Sequence, residues 1–425
     1  MPNRNTRRRF LKQSAALAST AFAAPYFVPS TAFGANEKIV TGHIGVGGQG
    51  RGNLGGFGSE VGAVCDVDKQ RMEAAVKRTG GKGYTDYRKL LEQDDLDAVV
   101  VSTPDHWHAL TTIHACMAGK HVYCEKPLSL TIEDGRAMVN AARKFKRTVQ
   151  TGSQQRSSSN FRQACEYVRS GRIGKLEKVL VGIAGANDPG KLPPDSDPPS
   201  HLDYDFWLGP APDRPYNEKR VHYNFRFWWD YSGGQMTNWG AHHIDIGHWG
   251  IGCDDSGPME IWAEEVGYHP EGYHEVTEKC RVVMKYADPR VEGNVITMIV
   301  GQGQKDVPGG TTFIGSKGTI HVNRGKLSSD PGDILKEPLK DSDVHLHPSG
   351  SHKGNFISCI KSGELPICDV EIGHRSATAC HLANIACRTG ERFKWDPVKE
   401  AVTDNDAAAA MVSRDYRAPW SLPKI

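Results

Sequence analysis

Ile39-Val40-Thr41-Gly42-His43-Ile44, running into Gly45-Val46-Gly47-Gly48-Gln49-Gly50, decides the fold. The first six residues read as a strand, and the next six form a G-x-G-x-x-G turn. Gly45 permits the tight turn, Gly47 lets the backbone approach a pyrophosphate, and Gly50 allows the following helix to pack closely. The first N–H groups of that helix would face the phosphates. About twenty residues on, a second strand, Val61 to Cys65, ends at Asp66, where a carboxylate can accept hydrogen bonds from an adenosine ribose. A glycine turn alone is weak; strand, turn and acid at this spacing predict a dinucleotide site. The Asp66 charge disfavours a 2′-phosphate, so NAD is expected over NADP, with Lys69 and Arg71 arguing the other way.

Outward from that turn, short apolar runs alternate with helical periods as far as Thr151. Ala98–Ser102, His121–Cys124 and Thr148–Thr151 read as strands, and Tyr87–Gln93, Trp107–Ala118 and Thr131–Phe145 as helices. This is the pattern of an α/β, doubly wound parallel sheet, a Rossmann domain spanning residues 36–155. Beyond it, Leu176–Ala184, Glu260–Tyr268, Val276–Tyr286, Asn294–Gly301, Thr311–Ile314 and Thr319–Val322 follow one another without long helices between them. Residues 156–425 are therefore expected to form an α+β domain with an open, mainly antiparallel sheet. The Pro/Asp/Ser-rich stretch Asn187–Arg220 should wrap over the surface or a neighbouring subunit. Asn355–Lys361 and Glu371–Arg388 are helical, and an extended tail, Tyr416–Ile425, has the option of packing back on the first domain.

The N-terminus carries a different signal. Arg7, Arg8, Phe10, Leu11 and Lys12 follow the order of a twin-arginine leader, and the alanine-rich run Ser14–Ala24 ends near an A-x-A site, Ala21-Phe22-Ala23. Residues 1–35 are thus expected to be removed on export of the folded chain, leaving no permanent membrane anchor. A periplasmic or secreted protein cannot replace a lost nucleotide. At an association rate of about 10⁶ M⁻¹s⁻¹, nanomolar binding lasts only roughly a quarter of an hour. Retention for hours needs a Kd near a picomolar, or a gate.

A net charge of +2 with both signs mixed gives no basic field, so a nucleic-acid partner is not expected. The ten cysteines contain no C-x-x-C pair and read as buried small hydrophobes. His106 and His108 form an H-x-H without a carboxylate to complete a ligand set, so no metal is expected.

Two further motifs make the chain recognisable. Thr103-Pro104-Asp105-His106-Trp107-His108 follows one strand, and Cys124-Glu125-Lys126-Pro127 ends the next. Gly233-Gly234-Gln235-Met236-Thr237-Asn238-Trp239-Gly240-Ala241-His242-His243-Ile244-Asp245 lies in the other domain. Together they resemble the Gfo/Idh/MocA oxidoreductases, the glucose–fructose oxidoreductase and inositol dehydrogenase family, and within it the secreted, sugar-associated members. The resemblance implies a tightly held NAD with Thr103, Pro104, His108, Glu125 and Lys126 lining its pocket, and a homo-oligomer. Independently of the family, Lys126 ends a strand where a nicotinamide would lie, and its ammonium can polarise a reacting oxygen. Asn238 and His242, four apart, share a helical face, and the imidazole suits a general base. Asn238 stands where the family often has Asp, which moves more of the burden to Lys126. His243 points elsewhere and reads as structural.

Tyr223 to Tyr231 interleaves aromatic rings with Arg226 and Asp230, a texture that suits a carbohydrate or, equally, core packing. Arg226 and Trp228 are the candidates there. Arg156, after the last Rossmann strand, could reach substrate; Asp245 either binds substrate or caps. The leading expectation is hydride transfer between bound NAD and a hydroxyl of a sugar, glycoside or cyclitol. The alternatives are a redox-neutral NAD-dependent glycoside hydrolase or lyase, and a non-catalytic carbohydrate-binding protein.

Overall fold

A computed structural model describes residues 38–186 and 190–425. The leader, with Arg7, Arg8 and Ala21-Phe22-Ala23, lies outside the described residues, as does the beginning of the Pro-rich stretch.

Six short strands build the first sheet: β1 (Val40–Ile44), β2 (Glu60–Cys65), β3 (Lys82–Tyr84), β4 (Ala98–Val101), β5 (His121–Cys124) and β6 (Val149–Thr151). They lie in the order β3-β2-β1-β4-β5-β6, and every pair is parallel. Helices cover both faces, which is why Ala98-Val99-Val100-Val101 is apolar throughout and fully buried. The order reverses at β1, where its neighbours β2 and β4 diverge, and a crevice opens above the strands' carboxyl ends. Strand β3 and helix Lys69–Thr79 were not anticipated. The helix needs no strong apolar stripe, because Asp68 caps its start by accepting from the Gln70 and Arg71 N–H groups and Gly80 closes it in the left-handed region.

The second sheet has nine strands. These are β7 (Leu176–Ile183), β8 (Glu260–Tyr268), β9 (Thr277–Ala287), β10 (Val295–Gln302), β11 (Gly310–Gly315), β12 (Gly318–Asn323), β13 (Lys326–Asp330), β14 (Phe393–Asp396) and β15 (Ala401–Val402). Their order is β13-β12-β11-β7-β10-β9-β8-β14-β15. All pairs are antiparallel except β7 with β10, which run parallel, so the sheet is mixed. One face buries Val179, Val181, Val282, Met284, Met298 and Phe313 against helices Ser159–Arg169, Gly240–Ile251 and Val370–Thr389. That last helix also meets the Rossmann domain. Arg136 there binds Glu371 and Glu400 together, each at 2.7 Å, and Arg143 pairs with Asp369.

Between β7 and helix Gly234–Asn238, the Pro-rich segment returns to the first domain of its own chain. Leu202 bridges Asp68, the Lys69 N–H donates to the His201 carbonyl at 2.8 Å, and the Asp203 N–H donates to that of Val67 at 3.0 Å. This strap therefore adds a short rung of backbone pairing beside the end of β2. All ten cysteines are buried free thiols.

Candidate active site

Three glycines of the turn have a steric reason, and Gly48, with nothing within 4 Å of a Cβ, has none. Gly45 sits at φ +80°, and a Cβ there would lie 2.7 Å from the Ser102 carbonyl; at Gly50 it would lie 1.8 Å from the Gly45 oxygen. Both positions exist to bring backbone against backbone. Gly47 differs: a Cβ would meet the Arg71 guanidinium at 2.1 Å, so Arg71 folds across the turn. Asp66 accepts from the Val46 and Asp68 N–H groups, each at 2.9 Å, and faces the crevice. Burial raises its pKa, and those two donors oppose the rise. With Thr103, whose buried Oγ1 has no protein partner, and Pro104, these groups form a cradle of the shape and polarity a dinucleotide requires.

The opposite wall comes from the second domain. Phe206, Trp207, His222, Tyr223, Phe225 and Arg226 of the strap face the glycine turn, Asp66 and Thr103 across the crevice. The Trp207 carbonyl takes two donors from the first domain, His106 Nε2 and Trp107 Nε1, each at 3.0 Å. The C-terminal tail then fastens the strap from outside. Arg417 donates to the Asp205 and Gly209 carbonyls at 2.9 Å and to Asp205 Oδ1 at 2.7 Å. Trp420 meets Trp107 edge-on at 4.8 Å and stacks on Phe206 at 5.7 Å.

Lys126 and Asn238 meet at the seam between the domains. Lys126 Nζ donates to Asn238 Oδ1 at 2.7 Å, and the Asn238 amide is held by donating to Gln235 Oε1 at 3.1 Å. Burial lowers the Lys126 pKa, with Glu125 and Asp105 opposing and Arg226 and Arg324 adding to the fall. The Asn238 oxygen is therefore spent on the lysine and does not orient His242, contrary to the simplest reading of their spacing. His242 lies in the first turn of a separate helix, Gly240–Ile251, after the break at Trp239. It is 5 % exposed, with Nδ1 buried and without a protein partner. Burial, followed by the Lys126 charge, pushes its pKa well below the ordinary value, so the ring is neutral and its protonation is opposed in the free protein.

His108 pins two loops of the cradle. Its Nδ1 lies 2.8 Å from the Pro127 carbonyl and its Nε2 3.0 Å from that of Thr103. Two carbonyl acceptors call for two ring N–H donors, hence an imidazolium. Burial opposes the charge, but Cys124, Asp105 and the Pro127 carbonyl together push the pKa up to about 10. The Lys126–Pro127 peptide between these loops is cis. Glu125 accepts from Asn53 Nδ2 at 2.9 Å, tying the strand end to the glycine helix.

The matches to known proteins fit this geometry. Residues 39–153 match the model described as "Oxidoreductase family, NAD-binding Rossmann fold", and residues 189–422 match "Oxidoreductase family, C-terminal alpha/beta domain". The chain belongs to the Gfo/Idh/MocA oxidoreductase family. A 1,5-anhydro-D-fructose reductase from Ensifer adhaerens is 39% identical over 119 residues, 28% of this chain and 36% of that protein. A glycosyl hydrolase family 109 protein from Shewanella pealeana is 30% identical over 154 residues, 33% of this chain and 34% of that one. The chain thus matches only about a third of the length of these curated relatives. Among solved structures, the WlbA dehydrogenase from Bordetella pertussis, in complex with NADH and UDP-GlcNAcA, shares the fold with a TM-score of 0.63 at 21% identity. The superposition covers 85% of this chain and 99% of that one.

Three of the proposed substrate contacts of this Gfo/Idh/MocA protein are corrected by the structure. Arg156 is 1 % exposed and gives its donors to Asp245 at 2.8 Å and Asp254 at 2.7 Å; Asp245 also accepts from Ser376 at 2.6 Å. The triad packs the Rossmann exit against helix Gly240–Ile251 and offers nothing to a ligand. Trp228 is likewise 1 % exposed, its Nε1 bonded to the Lys219 carbonyl within the strap's own apolar cluster. Only Arg226 reaches the crevice. Sequence reasoning missed Asp254 and Arg324, which lie outside every motif, and Gln235, which lies within the Gly233–Asp245 motif but was given no role. It also missed the aromatic lining at Phe206 and Trp207, for which a Phe-Trp pair inside a Pro-rich segment was the available sign. Among the described residues no cluster of His, Cys, Asp and Glu could hold a metal. None of the described helices is long and apolar enough to cross a membrane.

Proposed function

We propose that the protein is an NAD-dependent oxidoreductase that transfers hydride between a retained dinucleotide and a hydroxyl of a sugar, glycoside or cyclitol. The observation that carries this is the Lys126–Asn238 contact across the domain seam, with the free Nδ1 of His242 on the same wall. Bound NAD supplies the hydride acceptor. Lys126, held by an uncharged amide rather than a carboxylate, donates a hydrogen bond to the substrate oxygen and stabilises charge that develops there. His242, neutral through burial, takes the hydroxyl proton. Asp66 favours NAD over NADP by claiming the ribose hydroxyls.

Export of the folded chain by the twin-arginine route to the periplasm belongs to the same proposal, because the strap is the gate such a protein needs. It crosses the adenosine side of the crevice, is paired to Val67 and Lys69 on one edge, and is buckled by Arg417 and Trp420 on the other. Native mass spectrometry of the purified protein tests the proposal: dinucleotide should travel with it, and a panel of sugars and cyclitols should change absorbance at 340 nm without added NAD. Purified protein that carries no dinucleotide and takes up none when it is supplied would refute it.

A redox-neutral glycosidase is the second reading, supported by the partial likeness to the family 109 protein. Release of phenol from aryl glycosides, with no build-up of NADH, would select it.

A further inference from the structure

Two guanidinium groups near the reacting centre have no ion-pair partner among the described residues, although Asp105 lies close enough to Arg226 to act on it. Arg324, in the turn between β12 and β13, lies 4.6 Å from the ring centre of Trp239. Trp239 follows Asn238 directly, and its ring is 5.8 Å from that of His242 and stacked on His243 at 6.1 Å. Arg324 is thus laid against the same wall that holds the lysine partner and the imidazole. Arg226 approaches from the strap, 4.0 Å over Tyr223, with Nε donating to the Tyr223 carbonyl at 2.9 Å. It lines the crevice beside Thr103 and Pro104.

Among the described residues no ion pair engages either arginine, whereas nearby Arg71 sits 3.4 Å from Asp68 and Arg214 2.7 Å from Asp230. The acids closest to Lys126 have other occupations: Glu125 accepts from Asn53 at 2.9 Å and Asp105 from Ser232 at 2.5 Å. A guanidinium cannot shed its proton, so two permanent positive charges lie close enough to the Lys126 ammonium group to oppose its charge. Both arginines oppose the Lys126 charge, and Arg324 also opposes protonation of His242. Such an arrangement costs free energy in the free protein, and an anion entering the cleft recovers it.

We propose that the substrate carries an oxyanion, either the carboxylate of a sugar acid or the phosphate of a sugar phosphate, held between Arg324 and Arg226 while its hydroxyl meets Lys126. Both guanidiniums already lie over aromatic rings, Arg324 over Trp239 and Arg226 over Tyr223, before an anion binds. The inference names the substrate class for the oxidoreductase site and rests on that reading.

Calorimetry on the dinucleotide-loaded protein tests it with three probes: methyl β-D-glucuronide, glucose 6-phosphate and the neutral methyl β-D-glucoside. One anionic probe should bind at least about tenfold tighter than the neutral one, as charge-assisted hydrogen bonds predict. Which of the two wins distinguishes carboxylate from phosphate. The preference should fall to about twofold or less in Arg324→Gln and in Arg226→Gln, each measured on protein whose dinucleotide content has been scored. Arg324 is exposed in its turn, so its replacement spares the fold, which a thermal melt verifies. Equal or tighter binding of the neutral glycoside, no binding of any probe, or a preference that survives Arg324→Gln overturns the proposal. So does an Arg226→Gln variant that keeps the preference. Dinucleotide content is scored first on the same sample. Its absence counts against the oxidoreductase reading, while an absent anion preference in loaded protein counts against the oxyanion site alone.

Discussion

Lys126 Nζ and Asn238 Oδ1 are 2.7 Å apart although 112 positions separate them in the chain. An amide in that place holds the ammonium group in position without adding a negative charge to favour it. Converting Asn238 to Asp should raise the Lys126 pKa, since a carboxylate within contact distance favours the charged form. The limb of the pH–rate profile that follows lysine deprotonation should move to higher pH with it. Lys126→Ala should lose at least about 100-fold in kcat while bound dinucleotide stays constant by mass spectrometry.

Cofactor retention should depend on residues at the far C-terminus. Arg417 and Trp420 touch the strap and not the crevice lining at Asp66 or Thr103. Arg417→Ala and Trp420→Ala should therefore speed dinucleotide release, followed by stopped-flow fluorescence, by about tenfold each if each lost contact is worth about 1.4 kcal/mol. Trp420→Phe should restore most of the retention.

The interdomain clamp sets acid stability. Burial works against the Glu371 carboxylate, but Arg136 and Arg375 hold its pKa down at about 2, against an unfolded value of 4.5. A depressed carboxylate stabilises fully above the unfolded pKa and loses that contribution as pH falls toward the folded one. Urea midpoints should thus decline between about pH 5 and 2, by up to about 3 kcal/mol from this group. Glu371→Gln should flatten that slope.

His108 has the opposite sign. Its folded pKa of about 10 lies above the ordinary 6.5, so its contribution is whole below pH 6.5 and drains away as pH rises toward 10. His108→Ala, which strands the Thr103 and Pro127 carbonyls, should cost about 2 kcal/mol or more at pH 7 and weaken dinucleotide binding. The alkaline decline in stability should shrink in the same variant.

Arg156→Met should behave as a folding variant. Removing one member of a buried ionic triad leaves Asp245 and Asp254 uncompensated, at a cost of about 3–5 kcal/mol. Melting should report that loss, while the KM of protein that remains folded stays near the wild-type value.

Local chemistry made much of this legible before any coordinates. Gly45 and Gly50 had to be glycine because backbone touches backbone there, and a strand of Ala98-Val99-Val100-Val101 fits only a sheet covered on both faces. Lys126, Asn238 and His242 were recognisable because each sits at a fixed offset from a glycine or proline marker. Short edge strands such as β3 and β15 were not legible, since three residues or fewer carry no period.

What the chain alone determined, then, was the cradle and the identity of the groups at the seam, because those depend on neighbours within a few residues. The partners of those groups were decided only by the tertiary fold. Asn238 faces Lys126 rather than His242, Arg156 is consumed by Asp245 and Asp254, and the tail reaches Phe206 across more than 200 positions. A hydrogen bond or ion pair forms with whichever group the packing of two domains brings within about 3 Å, and spacing along a sequence contains no such distance.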